Sequence, residues 1–344
     1  MQALVLVGGE GTRLRPLTLT KPKPAIPLVD RPLIRHTVDW LRRHGVEEVV
    51  LACGFRADDL RAALGDAIPG GPRISYLSEP EPLGTAGPVR LAVDGGLLGE
   101  RFLVLNGDLL SDLDLTKLIE YHDAGAGAAT IAVHPVDDPS AYGLVRRAPG
   151  GEVTGFLEKP DPADIDTDEV NAGAYVLERE VVELVPAGQA VSIEREIFPR
   201  LVGGGLHACR LEGYWTDVGT PERYLQASWD VLEGVIETDF DPRPGEPWVG
   251  AGAEVAVGAE IGPRAVVGPG SIVGPGARVA DSVLLEGCRL GEGARVRGSI
   301  LGPGVDVGDG ASVGPTAVVG EGARIAPRAD VGQDARVAPA EVVN

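Results

Sequence analysis

The feature that most constrains the fold is a six-residue period in the C-terminal part of the chain. An aliphatic residue recurs at every sixth position, with two five-residue slips after Val279. Glycine commonly follows it, as in Ile261-Gly262 and Val307-Gly308. This period is typical of a parallel β-helix, whose aliphatic side chains fill a narrow interior and whose tight corners we expect those glycines to permit. The aliphatic positions are Val255, Ile261, Val267, Val273 and Val279, then Leu301, Val307, Val313, Val319, Ile325, Val331 and Val337.

A change of composition near residue 240 indicates a domain boundary. Residues 239–247 contain three prolines and have the composition of a linker. After Trp248 the chain has no aromatic residue, no lysine and no histidine. We therefore expect a first domain over residues 1–240 and a β-helix domain over residues 248–344.

The expected first domain alternates short aliphatic runs with amphipathic stretches. Such alternation predicts an α/β fold with a mostly parallel sheet. Ligands of such sheets bind at the carboxyl ends of the strands. The predicted strands lie at 3–7, 49–52, 102–105 and 130–133, and the predicted helices at 33–44 and 58–64.

The net charge limits the possible binding partners of the chain, and targeting signals bear on its cellular location. The chain has 31 basic and 51 acidic residues, a net charge of −20. We expect neither nucleic acid nor an anionic membrane as a partner of so acidic a chain. The sequence contains no apolar run of membrane-spanning length and no signal peptide, and its three cysteines are scattered. A cytoplasmic protein is the expectation.

Lysine is scarce, with only four lysines against 27 arginines. Codon bias alone could produce this ratio, or the surviving lysines could be needed as lysine. An ammonium group is a compact point charge suited to phosphate oxygens, whereas a guanidinium is a planar fork. Three of the four lysines precede proline, namely Lys21, Lys23 and Lys159.

A glycine turn directly after the first strand is the first candidate for phosphate binding. Gly8, Gly9 and Gly11 would let backbone amides approach phosphate oxygens closely. The turn lacks the spacing of a dinucleotide fingerprint or of a P-loop. Arg13 inside the turn and Lys23 ten residues later would add two cations near the same strand end.

The glycine turn and the motifs that follow it resemble the signature of the sugar-1-phosphate nucleotidyltransferases. The resemblance covers nearly the whole chain, because that family includes members with a C-terminal left-handed β-helix. Two blocks, at 83–88 and 192–199, most resemble the catalytic type of mannose-1-phosphate guanylyltransferase. The matching blocks lie in order at 8–18 (GGEGTRLRPLT), 22–24 (PKP), 83–88 (LGTAGP), 105–108 (LNGD), 156–160 (FLEKP), 171–173 (NAG), 192–199 (SIEREIFP) and 213–219 (GYWTDVG).

The resemblance implies transfer of a nucleotidyl group from a nucleoside triphosphate to a sugar 1-phosphate, with release of pyrophosphate. Such an in-line step requires positioning and charge neutralisation more than an acid or a base. Arg13 would clamp the departing pyrophosphate and Lys23 would lie near the α-phosphate. The implied nucleotide-binding residues are Gly8, Gly9, Gly11, Thr12, Glu79, Gly84 and Thr85.

The resemblance also implies a metal site and a sugar pocket. Asp108 and Asp217 would bind Mg²⁺, which accepts two carboxylates together with phosphate oxygens and water. The family often has serine where this chain has Gly107. Lys159 would hold the phosphate of the sugar phosphate and Glu158 would accept from sugar hydroxyls, with Gly143, Asn171 and Gly173 completing the pocket.

Glu79 is the candidate for recognition of the base. The thymidylyl- and uridylyl-transferring relatives usually have glutamine at this position. Guanine presents two adjacent donors that one carboxylate can accept, whereas the mixed edges of thymine and uracil suit an amide. GTP with mannose 1-phosphate is therefore the expected substrate pair, and a solvated acidic loop is the alternative interpretation of Glu79.

Three other functions stay open. A nucleotidyltransferase of the same fold could act on glucose 1-phosphate with dTTP, UTP or ATP. An acyltransferase with a hexapeptide β-helix would usually need a histidine base there, but all five histidines precede it. A non-catalytic regulatory paralogue would have damaged loops, whereas these loops retain their charged residues. We also expect a homo-oligomer, with the β-helix as the usual place of self-association.

Overall fold

The computed structural model describes residues 1–54, 57–79, 81–125, 127–158 and 160–344. The strands before residue 240 are β1 (Gln2–Leu6), β2 (Pro27–Leu28), β3 (Arg31–Pro32), β4 (Glu48–Cys53), β5 (Arg73–Ser78), β6 (Arg101–Asn106), β7 (Leu109–Ser111), β8 (Ala129–Pro135), β9 (Gly143–Arg147), β10 (Val153–Glu158), β11 (Glu169–Glu178), β12 (Leu206–Arg210) and β13 (Trp215–Asp217). The helices are α1 (Leu17–Thr20), α2 (Leu33–Arg43), α3 (Ala57–Leu64), α4 (Gly87–Asp94), α5 (Leu115–Asp123), α6 (Arg179–Val182), α7 (Phe198–Leu201) and α8 (Pro221–Leu232). Within the described ranges, no helix is long and apolar enough to cross a membrane.

The chain divides into two compact units. The first unit contains Met1–Gly9 and Thr37–Trp215, and the second contains Glu10–His36 and Thr216–Asn344. The domain boundary expected between residues 240 and 248 stays a prediction.

A mixed sheet forms the centre of the first unit. Its strand order is β10-β9-β11-β6-β1-β4-β5, with β8 beside β11 and β12 beside β8. Strand β1 runs parallel to β4 and β6, so that Leu4 lies opposite Val50 and Val104. These three residues are almost fully buried, as expected of parallel strands covered on both faces. The predicted α/β fold with a mostly parallel, mixed sheet is confirmed.

Seventeen two- and three-residue strands of the second unit form three parallel sheets. The aliphatic residues of the six-residue period, from Val267 to Val337, form one buried cluster. The predicted β-helix is therefore confirmed. Its strands are β14 (Trp248–Val249), β15 (Glu254–Val255), β16 (Glu260–Ile261), β17 (Val266–Val267), β18 (Ile272–Val273), β19 (Arg278–Ala280), β20 (Val283–Leu284), β21 (Arg289–Leu290), β22 (Arg295–Arg297), β23 (Ile300–Leu301), β24 (Asp306–Val307), β25 (Ser312–Val313), β26 (Val318–Val319), β27 (Arg324–Ile325), β28 (Asp330–Val331), β29 (Arg336–Val337) and β30 (Val342–Val343).

The reason given above for the β-helix glycines was wrong in one respect. The glycine directly after the aliphatic residue does not have a positive φ; a Cβ on Gly268 would lie 2.5 Å from the backbone carbon of Leu285 in the next coil. These glycines therefore permit close stacking of the coils. The left-handed corner comes three residues after the aliphatic, where Gly270 has φ of 66° and Arg264 has φ of 57°.

The three outer faces of the β-helix differ in polarity. Side chains alternate along a strand, so the residue before each inward aliphatic points outward. On the sheet that starts with β14, the four middle strands have outward residues that are at most 1% exposed, namely Val266, Val283, Ile300 and Val318. The row is half-buried at Trp248 in its first strand and exposed at Arg336 in its last. On the other two sheets the corresponding positions include exposed Arg289, Asp306, Arg278 and Arg295.

Candidate functional site

The carboxyl edge of the parallel strands carries several of the predicted site residues. Gly8 and Gly9 follow β1, Glu79 follows β5, and Asp108 follows β6 after Gly107. Strands β6, β1, β4 and β5 are neighbours and run parallel, so their carboxyl ends meet at one edge of the sheet. This is the edge at which open α/β sheets bind ligands.

Glu79 lies beside the glycine turn. Its Oε2 accepts a hydrogen bond from the backbone N–H of Leu83 at 3.0 Å. A Cβ built on Gly8 would lie 3.0 Å from Glu79 Oε1 and 3.3 Å from the backbone nitrogen of Gly54. Burial raises the pKa of the half-buried Glu79 carboxyl, and the Leu83 hydrogen bond opposes that effect. A bulkier residue than glycine at position 8 would displace this carboxylate.

Gly107 brings Asp108 close to the first strand. The backbone N–H of Gly107 donates to the carbonyl oxygen of Leu6 at 2.9 Å. A Cβ on Gly107 would lie 2.5 Å from Val7 Cγ1 and 2.6 Å from Leu6 O. In this chain, glycine therefore avoids a close contact with the first strand at the position where the family often has serine.

The 83–88 block pairs with the segment before the 192–199 block. Ala86 N–H donates to Val191 O at 2.9 Å, and Val191 N–H donates to Leu83 O at 3.0 Å. Gly84 has φ of 73°, and a Cβ there would lie 2.4 Å from Val191 O. Position 84 therefore needs glycine for both its conformation and its contact.

Glu194 joins these two blocks through its carboxylate. Thr85 Oγ1 donates to Glu194 Oε2 at 2.7 Å, and Ser192 Oγ donates to the same oxygen at 2.8 Å. The Thr85 hydroxyl oxygen in turn accepts from Ile193 N–H at 2.8 Å. The Thr85 side chain therefore contacts protein groups on both sides, which leaves its backbone as the simpler contact for a nucleotide.

The same network reaches the predicted sugar pocket. The buried Tyr175 hydroxyl lies 3.4 Å from Glu194 Oε1 and accepts from Asn171 Nδ2 at 2.9 Å. Asn171 Oδ1 accepts from the backbone N–H of Gly173 at 2.9 Å. Gly173 has φ of 68°, and a Cβ there would lie 2.7 Å from Asn106 Nδ2. These contacts fix the amide of Asn171 and the bulge in β11.

Gly143 and Glu158 are paired across β9 and β10. A Cβ on Gly143 would lie 2.7 Å from Glu158 Oε2, so glycine leaves room for that carboxylate. The Glu158 charge is one of the causes that raise the pKa of the fully buried Tyr175, after burial and Glu194. Lys159, predicted to hold the sugar phosphate, lies outside the described residues.

In the second unit, the glycine turn ends against Lys23. Gly11 has φ of 60°, and a Cβ there would lie 2.9 Å from Thr18 Cγ2 and 3.1 Å from Lys23 Cβ. Thr18 Oγ1 donates to Gly11 O at 2.9 Å. Lys23 is only 7% exposed, and Thr12 begins the short 3₁₀ turn Thr12–Leu14.

Asp217 lies between two guanidinium groups of the second unit. Arg13 Nη2 is 3.7 Å from Asp217 Oδ2, and Arg223 Nη1 donates to Asp217 Oδ1. A Cβ on Gly219 would lie 2.6 Å from Arg13 Nη2. The Arg13 side chain remains 62% exposed, so it is available to an anionic ligand.

The two predicted metal ligands belong to different units, Asp108 to the first and Asp217 to the second. Among the described residues there is no group of three or more His, Cys, Asp or Glu side chains able to hold a metal. Mg²⁺ commonly takes one or two carboxylates and completes its shell with substrate phosphates and water, so each of these aspartates is a ligand type that it accepts. Their role as metal ligands stays a prediction.

The sequence patterns indicated no role for four residues that contact the predicted site residues, namely Glu194, Tyr175, Asn106 and Arg223. The 192–199 block contains two glutamates, and only the fold shows that Glu194 accepts from Thr85 while Glu196 accepts from the backbone N–H of Ser192. Arg223 lies six residues after Asp217, across the turn between β13 and α8, and no helical spacing in the sequence indicated their ion pair.

Comparisons with known proteins match both parts of the chain. The model of the Nucleotidyl transferase family matches residues 2–234. A second model, described as the GMPPB C-terminal domain, matches residues 244–344.

Two named relatives are similar in sequence. Mannose-1-phosphate guanylyltransferase of Mycobacterium tuberculosis is 38% identical over 296 residues, which cover 84% of this chain and 81% of that protein. Mannose-1-phosphate guanyltransferase of Aspergillus fumigatus is 43% identical over 232 residues, covering 65% of this chain and 62% of that protein.

Solved structures of HddC from Yersinia pseudotuberculosis are similar in fold. One has a TM-score of 0.58 and 29% identity, covering 66% of this chain and 97% of that chain. Another, a complex with GMP-PN, has a TM-score of 0.57 and 29% identity with the same coverage.

Proposed function

The chain belongs to the nucleotidyl transferase family, and on that premise we propose that it transfers a guanylyl group from GTP to mannose 1-phosphate. The products would be GDP-mannose and pyrophosphate. The observation that carries the proposal is the half-buried Glu79 carboxylate beside Gly8 at the carboxyl edge of the sheet. The names of the relatives and the GMP-PN complex of HddC support a guanine nucleotide.

The reaction needs one phosphorus–oxygen bond formed and one broken. A phosphate oxygen of mannose 1-phosphate attacks the α-phosphorus of GTP, and the pyrophosphate leaves with the electrons of the broken bond. We propose that backbone amides of Gly8, Gly9, Gly11 and Thr12 bind the triphosphate, with Gly84 and Thr85 beside the nucleoside. Glu79 would accept from both donors of the guanine edge.

Two cations would lower the barrier by stabilising charge that develops in the transition state. The exposed fork of Arg13 would hold the departing pyrophosphate in a bidentate manner. Lys23 would act as a point charge near the α-phosphate. The family generally uses a divalent metal, and we propose Mg²⁺ bound by Asp108 and Asp217, where it would neutralise phosphate charge.

The sugar phosphate would be held by a second group of residues. Lys159 would bind its phosphate, and Glu158 would accept hydrogen bonds from sugar hydroxyls. The side-chain oxygen of Asn171 already accepts from Gly173, and one of its amide N–H groups donates to Tyr175. Its second amide N–H would donate to a sugar oxygen. Gly143 and Gly173 would leave the space that these contacts need. A homo-oligomer and a cytoplasmic location stay predictions.

The test is a pyrophosphate-release assay with Mg²⁺ that crosses GTP, dTTP, UTP and ATP with mannose 1-phosphate and glucose 1-phosphate. Turnover confined to GTP with mannose 1-phosphate supports the proposal. Turnover with another pair keeps the nucleotidyl transfer and changes the substrate assignment. No turnover with any pair, from protein that melts cooperatively, favours the regulatory paralogue.

A further inference from the structure

Lys21 is a scarce lysine that the proposed reaction does not use. Its Nζ lies 2.5 Å from Glu286 Oε1. Both side chains are partly exposed, that of Lys21 at 33% and that of Glu286 at 42%. Glu286 follows strand β20 at a corner of the β-helix, where its carbonyl accepts from Gly304 N–H at 2.9 Å. The β-helix therefore contacts the N-terminal segment of the second unit through this ion pair.

A second contact holds the same segment a few residues later. Tyr224 of helix α8 is buried, and its hydroxyl donates to the carbonyl oxygen of Pro27. Burial raises the pKa of Tyr224, and the Glu286 charge adds to that effect. Glu286 therefore holds the segment at Lys21 and Tyr224 holds it at Pro27, on the two sides of Lys23.

The segment between these contacts is stiff. It begins Lys21-Pro22-Lys23-Pro24, and each proline ring fixes its own φ and restricts the residue before it. A displacement of Lys21 is therefore transmitted to Lys23, two residues away. Lys23 is 7% exposed and packs against Gly11, so its ammonium group has little freedom to compensate.

We propose that Glu286 of the β-helix is a positioning residue for the catalytic step. Through its ion pair with Lys21 it fixes the stiff segment that carries Lys23, and the β-helix thereby acts on transfer as well as on folding. This inference rests on the proposed function, in which Lys23 stabilises charge at the α-phosphate.

A merely structural ion pair would behave differently. Half-exposed ion pairs contribute only about 0–1 kcal/mol to stability, so loss of this one changes the unfolding temperature little. Loss of a positioning contact would instead move the Lys23 ammonium group away from the α-phosphate. This displacement lowers kcat, because stabilisation of the negative charge in the transition state weakens with distance from the cation.

The experiment compares Glu286→Lys, Lys21→Glu and the double variant that exchanges the two charges. Each is measured for kcat, for KM of both substrates and for the unfolding temperature. The matched control is Glu260→Lys, which reverses an exposed ion pair with Arg278 (3.2 Å) elsewhere in the same β-helix. We expect each single reversal to lower kcat about tenfold, corresponding to ~1.4 kcal/mol, with unchanged melting. The double variant should recover most of that loss, and the control should match wild type.

Two results would overturn the inference: a Glu286→Lys variant with the kcat of wild type, or an exchanged pair no better than either single variant. A fall in kcat equalled by the Glu260→Lys control would also reject it, as an effect of overall charge. Failure of the proposed function is recognised separately. In that case wild type shows no transfer, or Lys23→Ala is as active as wild type.

Discussion

The hydroxyl of Thr85 donates a 2.7 Å hydrogen bond to the carboxylate of Glu194, 109 residues later in the chain. That carboxylate also accepts from Ser192 and lies near the Tyr175 hydroxyl that binds Asn171. One side chain thus links the block predicted to bind the nucleotide with the block predicted to bind the sugar.

We expect Glu194→Gln to lower kcat/KM for both substrates by about tenfold, because an amide group cannot accept the same set of hydrogen bonds. Glu194→Ala should in addition lower the free energy of unfolding by about 1 kcal/mol, since the part-buried hydroxyls of Thr85 and Ser192 lose their acceptor. Steady-state kinetics and urea unfolding measure these effects. Glu196→Gln is the control, and equal losses in both variants would contradict the specific role of Glu194.

Arg13→Ala should lower kcat by about 10²–10³-fold, the usual effect of removing one donor to transition-state charge. The Arg13 side chain is 62% exposed, so the unfolding temperature should not change. Arg13→Lys should recover little of the loss, because an ammonium group cannot make a bidentate contact. The readout is initial rate at saturating substrates; full activity of Arg13→Ala would remove this residue from the proposed mechanism.

Glu79→Gln tests recognition of guanine. We expect it to reduce the preference for GTP over dTTP by about tenfold or more, a loss of ~1.4 kcal/mol. Because burial raises the pKa of Glu79, the carboxyl takes up a proton at a higher pH than a free glutamate. The kcat/KM for GTP should therefore fall as pH falls through that raised pKa, and the glutamine variant should lack this loss.

The same substitution has a predicted effect on stability. A raised pKa in the folded state means that burial disfavours the charged form, so stability falls as pH rises through it. Glu79→Gln removes that cost and keeps an oxygen for the Leu83 N–H. Thermal unfolding at pH 7 should therefore give a midpoint at or above that of wild type. A clearly lower midpoint would show that the carboxylate itself stabilises the fold.

Gly107→Ser introduces the residue that the family often has at this position. The added Cβ would lie 2.5 Å from Val7 Cγ1, so we expect a loss of about 1–3 kcal/mol in stability from overpacking. Gly150→Ser is the control, because a Cβ on Gly150 meets nothing within 4 Å. Denaturant unfolding compares the two variants. If the Gly107 variant is as stable as the control, the prediction is wrong, and residues 6–7 can move to accommodate the serine without loss of stability.

The sequence predicted the fold where the pattern is local or periodic. The apolar run at the start of the chain became β1, and the six-residue period became the β-helix. Glu194 could not be assigned in this way, because its partner Thr85 is distant in sequence. The same limit applies to Lys21 and Glu286, which are 265 residues apart and pair only after the coils are stacked.

The reason for each glycine was also beyond the sequence. Gly8, Gly107 and Gly268 have ordinary φ values, and each is needed because another group lies too close for a side chain. Gly11 and Gly84 are different, since each has a positive φ as well as a close neighbour. A sequence motif shows only that glycine is present. The structure shows whether that glycine is needed for a positive φ, for a close neighbouring group, or for both.

The buried outward row of the β-helix restricts how this domain can change in length. Val266, Val283, Ile300 and Val318 succeed one another after 17, 17 and 18 residues, which is one full coil each. Insertion of a single hexapeptide before Val318 would keep the interior pattern but move that residue to a neighbouring face. Between Val266 and Val318, insertion of a whole coil therefore preserves the buried outward row, whereas a single hexapeptide satisfies only the interior.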